Sequence, residues 1–137
     1  MVAPKSNKII YLACPYTHSC ADIREQRFVA ATKAAASLIQ SGYIVFSPVT
    51  MTHPIDSIIA GFDGTLGSEF WVSFDEAFME VCAEMAILPL DGWRESSGIS
   101  REIDFFIQRK RRVWFLNPTE DDYGVREAVP LPKSITG

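Results

Sequence analysis

The chain has 137 residues, a formal net charge of -4 at pH 7 and a pI of about 5.1. This length suits one domain with a real core, and the hydrophobic content of 47% is that of a globular protein. The acidic balance argues against a nucleic-acid polymer or an anionic membrane as the main partner. The N-terminal apolar run is too short for a signal peptide and no stretch reaches membrane-spanning length, so we expect a cytoplasmic protein.

The first third of the chain alternates between strand and helix patterns. Residues 9–13 are apolar and predict a buried strand. A capping box, Asp22 followed by Glu25, begins a helical pattern that Gly42 ends. Residues 43–46 then predict a second strand.

The middle of the chain is less regular. Residues 47–68 show no strong periodicity apart from a possible helical turn at 55–60, so we expect a lid or binding loop there, with His53 within it. The following apolar residues recur at helical spacing between 71 and 82 and predict a second long helix.

A strand, a loop and a helix follow in the stretch that carries the strongest signals. Residues 85–90 predict a third strand, the Asp91-Gly92 turn ends it, and a helix begins near Gly98. Residues 113–116 predict a fourth strand, and 118–137 are read as a tail that packs on a neighbour or stays mobile.

This order predicts a single α/β domain with a core at about 8–117. Right-handed crossovers give a doubly wound, flavodoxin-like and mainly parallel sheet of about four to five strands, with helices on both faces. Ligands of such sheets bind beyond the carboxyl ends of the strands. That rule gathers 14–18, the His53 loop, 91–97 and Asn117 into one region.

Glu102 is the first candidate for chemistry. At about 100° per residue it lies between Phe105 and Phe106, inside the apolar arc of its helix, where a core residue is expected. A partly desolvated carboxylate near a helix N-terminus is a good nucleophile or base. The alternative is that Glu102 pairs with Arg24 or Arg27 as a structural ion pair.

Other candidates have structural alternatives of comparable weight. Ser96 and Gly98 suit a helix N-cap, or a site that holds a phosphate or a sugar hydroxyl on backbone N–H groups. Tyr16 suits a packed loop aromatic as well as a pocket wall. His53 and His18 are the two histidines and no third metal ligand is evident, so we expect neither a metal nor an organic cofactor.

Two motifs resemble a known superfamily. The segment YLACPYTH, from Tyr11, resembles the start of the nucleoside 2-deoxyribosyltransferase-like superfamily. The pattern Ser96-x-Gly98-x-x-x-Glu102 is similar to the motif of its nucleotide N-glycosidase branch. The resemblance covers roughly 9–117. Between the two motifs the sequence looks like an uncharacterised bacterial and phage subgroup of the superfamily.

The resemblance implies roles for particular residues. Glu102 would attack the anomeric carbon, and the acidic residue before the third strand, Glu84, would assist departure of the base; Asp91 is a second candidate for that proton. Ser96 and Gly98 would bind the 5′ end of the sugar or its phosphate, and His53 would contact the phosphate. Tyr16 would line the pocket. The chain departs from the family at Cys14, where the family has glycine.

We therefore expect cleavage or transfer of the N-glycosidic bond of a (deoxy)nucleoside or its 5′-monophosphate, through a glycosyl-enzyme on Glu102. Members of the resembled superfamily are homo-oligomers with shared sites, which implies a homodimer or homotetramer here, with Asn117 and the tail as donors. The alternative is a nucleotide-binding or regulatory module without turnover. Two departures from the family favour the module: Cys14 in place of glycine and Glu84 in place of the usual aspartate. The desolvated carboxylate of Glu102 favours the enzyme.

Overall fold

The computed structural model describes residues 6–63, 67–119 and 122–130, without the side chains of 61–63, 68 and 117 onward. Five strands and four α-helices are present in these ranges. In chain order they are β1 (Ile9–Ala13), α1 (Ala21–Gln40), β2 (Ile44–Phe46), α2 (Pro48–Asp63), α3 (Ser68–Met79), β3 (Glu84–Ile87), α4 (Ser97–Gln108), β4 (Arg112–Thr119) and β5 (Asp122–Pro130), with a short 3-10 turn at Trp93–Glu95. No helix within these ranges is both long and apolar enough to cross a membrane.

The strands form one sheet in the order β2-β1-β3-β4-β5. The first four are parallel, and β5 pairs with β4 in the antiparallel direction. The chain places β2 on one side of β1 and later places β3 on the other side. The direction of strand order therefore changes between β1 and β3. This arrangement confirms the predicted flavodoxin-like α/β fold with a mainly parallel sheet.

Helices cover both faces of the sheet, because the residues of each central strand alternate between two apolar cores. Leu12 packs with the alanines of α1 on one face. Tyr11 and Ala13 pack with α3 and α4 on the other, where Phe106 and Ile103 are buried. Small alanines bring α1 close to the sheet, as their spacing predicted.

The prediction of a long loop at 47–68 was wrong, because most of it forms α2. Pro48 occupies the first turn, where a missing N–H costs nothing, and the N–H of Met51 donates to the carbonyl of Ser47. The helix also contains Pro54, which suggested a loop. The hydroxyl of Thr50 bonds to that of Thr32 on α1 at 2.9 Å, so tertiary contacts hold α2 in place.

Two further expectations differ from the structure. Residues 122–130 form β5, although the sequence was read as an irregular tail there. The N-cap of α1 is Cys20, which makes no side-chain capping bond, so the Asp22–Glu25 capping box is not formed. The Glu25 carboxylate instead bonds to His53.

Candidate functional site

A cavity of about 810 Å³ lies beyond the carboxyl ends of β1 and β3. Its walls come from the loop after β1, from α1, α2 and α3, and from the first turns of α4. This is the crevice that the parallel topology predicted. Four of the predicted site residues line it: Tyr16, Ser96, Gly98 and Glu102.

Glu102 is half-buried at the floor of this cavity, where β1 and α4 meet. Burial raises the pKa of its carboxyl to about 7, and a hydrogen bond from the Tyr11 hydroxyl opposes that rise. Tyr11 is fully buried, and burial together with the nearby Glu102 charge raises its own pKa well above the usual value. The Tyr11 phenol therefore stays protonated and donates, and its hydrogen bond favours the ionised form of Glu102.

Asp75 is a second carboxyl in the cavity wall, contributed by α3, and sequence reasoning missed it. Burial raises its pKa to about 6, and the guanidinium of Arg101 opposes the rise. Its Oδ1 is a buried side-chain oxygen without a hydrogen-bond partner among the described residues. The Asp75 charge also raises the pKa of Glu102, so the two carboxyls interact.

A detectable signal for Asp75 was present in the sequence. Taking about 100° per residue, Asp75 falls between Trp71 and Met79 on the projection of α3, inside the apolar arc. That is the same exception that identified Glu102 on α4. The apolar positions of α3 were noted, but the acidic position among them was not.

The N-terminus of α4 opens into the cavity. The hydroxyl of Ser96 accepts a hydrogen bond from the N–H of Ile99 at 3.2 Å, so Ser96 is an N-cap. Ser97 and Gly98 line the cavity beside it. The positive end of the helix dipole therefore faces the space above Glu102, an arrangement that favours an anion.

Arg24 and Arg27 line the cavity mouth but do not pair with Glu102. Arg24 donates to the carbonyl of His18, and Arg27 donates to the carbonyls of Thr17 and Asp91 at 3.2 and 3.0 Å. These bonds tie the loop after β1 to the loop after β3. The structural ion pair that was the alternative for Glu102 is therefore not formed with either arginine.

Glu84 does not line the cavity, so the structure does not bring it together with Glu102. It begins β3, and the parallel register pairs it with Arg112 at the amino edge of the sheet. Its carboxylate accepts hydrogen bonds from Arg112 at 3.3 Å and from the Trp114 indole at 3.0 Å. The ligand crevice lies beyond the carboxyl ends of the strands, so a residue at the start of a parallel strand lies at the opposite edge of the sheet.

Asp91 is exposed and is not part of the cavity wall. The next residue, Gly92, has a left-handed backbone with a φ of 91°. A Cβ at Gly92 would come within 3.0 Å of the Arg27 guanidinium, so the turn requires glycine. Asp91 therefore belongs to the Asp-Gly turn that follows the third strand. The side chain of Asn117 lies outside the described residues.

His53 lies behind the cavity wall instead of in it. Its ring is stacked on Phe28, and its two nitrogens bond to Tyr16 and Glu25. Cys14 does line the cavity; its thiol is buried, and burial raises its pKa to about 12. The thiol is therefore protonated and a poor nucleophile.

No group of three metal-binding side chains is found in the described part of the chain. A search of curated proteins found no match to the sequence. A family model described as "Domain of unknown function (DUF1937)" matches residues 8–117, a range that contains the cavity and its two carboxyls. The chain belongs to the DUF1937 family.

Proposed function

We propose that this protein cleaves or transfers the N-glycosidic bond of a (deoxy)nucleoside or its 5′-monophosphate, with Glu102 as the nucleophile and Asp75 as the proton donor. The observation that carries the proposal is a pair of interacting carboxyls with raised pKa values at one cavity. Glu102 accepts a hydrogen bond from a buried phenol, and Asp75 has an oxygen without a partner among the described residues. In most glycosidases two carboxyl groups in different environments act as the acid and the nucleophile.

The first step forms a bond between a Glu102 oxygen and the anomeric carbon as the bond from that carbon to the base nitrogen breaks. The departing nitrogen takes the proton of Asp75, so the base leaves neutral. In the second step water or another base attacks the same carbon, the bond from that carbon to the Glu102 oxygen breaks and the carboxylate is restored. The proton of the attacking group goes to Asp75. Two displacements at one carbon give net retention of configuration.

Tyr11 supports this division of roles. Its hydrogen bond favours the ionised form of Glu102, which is the form that attacks. Asp75 has no such donor among the described residues, and burial raises its pKa to about 6, so it is protonated more often than an exposed aspartate. The pKa of Glu102 is higher still, at about 7, so the reactive form, with Glu102 ionised and Asp75 protonated, is a minority species of the coupled pair.

The N-terminus of α4 is the place for the 5′ end of the substrate. Backbone N–H groups at Ser97 and Gly98, with Arg101 one turn further on, supply a positive environment beside Glu102. This position suits a 5′-phosphate or a 5′-hydroxyl. The similarity of the Ser96-to-Glu102 pattern to nucleotide N-glycosidases supports the same placement.

The quaternary structure is part of the proposal. A homodimer or homotetramer would allow Asn117 and the C-terminal residues of one subunit to contact the site of another, as the resemblance implies. Light scattering at micromolar concentration tests the oligomeric state.

Base release, followed by chromatography, tests the reaction. The substrates are deoxynucleosides, ribonucleosides and their 5′-monophosphates, each with and without an acceptor base. Release by wild type and by Glu84→Gln, but not by Glu102→Gln, is the expected result, and dependence on the acceptor separates transfer from hydrolysis. Undiminished release by Glu102→Gln contradicts the mechanism. No release by folded wild type supports the nucleotide-binding module, for which ligand-induced shifts in Tm are the next measurement.

A further inference from the structure

A hydrogen-bonded chain runs from the protein surface to the cavity wall. The Glu25 carboxylate, with 60% of its side chain exposed, lies 2.7 Å from Nε2 of His53. Nδ1 of the same ring lies 2.5 Å from the hydroxyl of Tyr16, which lines the cavity. The chain joins α1, α2 and the loop after β1.

The imidazole at its centre is held in one orientation. Phe28 stacks on one face of the ring with centroids 4.6 Å apart, and the Tyr16 ring meets it edge-on at 5.5 Å. Only 13% of the His53 side chain is exposed. The ring therefore cannot turn to exchange the partners of its two nitrogens without leaving this packing.

The order of partners fixes the direction of each hydrogen bond. A carboxylate only accepts, so Nε2 of His53 carries a proton and donates it to Glu25. In the neutral ring Nδ1 is then an acceptor, and the Tyr16 hydroxyl donates its single proton to it. The lone pairs of the Tyr16 oxygen then remain able to accept a further hydrogen bond.

We propose that the Glu25–His53 pair makes the Tyr16 hydroxyl a hydrogen-bond acceptor toward the cavity, so that Tyr16 selects a ligand with an O–H or N–H donor at that point. Tyr16 is then a specificity-determining residue, and His53 and Glu25 are positioning residues. The charged groups around Tyr16 are Arg24 and Glu25 on α1 and Asp56 on α2. The Nη1 of Arg24 bonds to the carbonyl of His18, and Asp56 bonds to the Trp71 indole, so each has another partner.

Nitrogen NMR of the imidazoles at pH 8 tests the direction of the bonds. The chain has two histidines, so spectra of wild type and His18→Gln assign both rings. We expect the His53 ring to carry its proton on Nε2 and to accept at Nδ1, and we expect Glu25→Ala to yield a mixture of tautomers. A proton on Nδ1 of His53 in wild type would overturn the proposal.

Calorimetry measures the affinities of three nucleotides and so identifies the donor group that Tyr16 selects. The choice of nucleotides rests on the proposed function. The probes are 2′-deoxyadenosine 5′-monophosphate, its 3′-deoxy counterpart and its counterpart without the exocyclic amine. Loss of the hydroxyl or loss of the amine is expected to weaken wild-type binding about tenfold, because it leaves the Tyr16 oxygen without a donor when the ligand is bound. The probe that binds more weakly shows whether Tyr16 accepts from the 3′-hydroxyl of the sugar or from the exocyclic amine of the base.

The variants decide whether Tyr16 is responsible. Tyr16→Phe should bind the probes without this preference, and His53→Gln should reduce it, since the freed hydroxyl can then donate or accept. A preference that persists in Tyr16→Phe, with the fold checked by Tm, overturns the selective role. If no probe binds wild type, the proposed function fails, and the NMR result alone still decides the direction of the Tyr16 bond.

Discussion

The Tyr11 hydroxyl donates a hydrogen bond to the Glu102 carboxylate, joining β1 to α4 across 91 positions of the chain. Tyr11 is fully buried between the sheet and α4, with its ring 5.8 Å from that of Phe106. The phenol thus supplies a polar contact to a carboxylate within an apolar core. Its pKa is raised well above the usual value by burial first and by Glu102 second, so it stays protonated.

Tyr11→Phe should raise the pKa of Glu102, because the hydrogen bond from Tyr11 lowers it. Loss of a bond to a charged group corresponds to roughly one pH unit. We expect the alkaline midpoint of the pH–rate profile, which follows the higher of the two pKa values, to move to higher pH by about that amount, with up to about tenfold lower activity at neutral pH. An unchanged alkaline midpoint and unchanged activity in a folded variant would contradict the role of Tyr11.

The dependence of kcat/KM on pH should be bell-shaped. Activity needs Glu102 ionised and Asp75 protonated, and their carboxyl pKa values are raised to about 7 and about 6. Acid removes the nucleophile and alkali removes the proton donor, so we expect an optimum between about pH 6 and 7. Because the group that must be ionised has the higher pKa, the active form is a minority species of the coupled pair. Activity that rises steadily to pH 9 would exclude Asp75 as the acid.

Glu102→Gln should stabilise the fold at high pH while it abolishes activity. The folded pKa of about 7 exceeds the ordinary value of 4.5 for a glutamate, so the folded state binds more protons than the unfolded state between these pH values. Wild-type stability therefore falls as pH rises through this window, by about 1 to 3 kcal/mol. We expect denaturation by urea to give similar free energies of unfolding at pH 4.5 and a more stable variant at pH 8. An equal difference at both pH values would contradict the raised pKa.

Asp75→Asn and Glu84→Gln form a matched pair of carboxyl-to-amide variants. The first removes the proposed proton donor and should lower activity about a hundredfold or more. The second changes an acid at the opposite end of the sheet and should leave activity unchanged, with less than about 1 kcal/mol lost in stability, since its Arg112 partner is 59% exposed.

The identity of the leaving base supplies a control for Asp75. A nucleotide of 7-methylguanine carries a cationic base that departs without protonation. Asp75→Asn should therefore retain more activity on this substrate than on the guanine nucleotide. An equal loss on both substrates would mean that Asp75 acts through structure and not as an acid.

The sequence predicted the parts of the site that follow from periodicity. Glu102 was identified because it interrupts an apolar arc, and the buried positions of Ile99, Ile103 and Phe106 confirm that arc. The parallel strand order was predictable since apolar runs alternate with helical patterns. The crevice followed from that order, with Tyr16 and Ser96 in its wall.

Other features depend on contacts that no local pattern contains. The helix α2 forms despite Pro54, because Val49 is buried and Thr50 bonds to α1. Glu84 was assigned to the site because the resembled superfamily has an acidic residue before the third strand, but the register puts Glu84 at the amino edge. Glu25 fitted a capping box, yet α2 places His53 beside it. In each case a tertiary partner overrides the local preference.

Capture of the covalent intermediate tests the central claim most directly. Wild type would be quenched during turnover of a cleavable nucleotide, and intact mass followed by peptide mapping would locate any adduct. The expected result is a sugar or sugar phosphate attached to Glu102, with none in Glu102→Gln. Base release by wild type without an adduct, retained in Glu102→Gln, would contradict the glycosyl-enzyme mechanism.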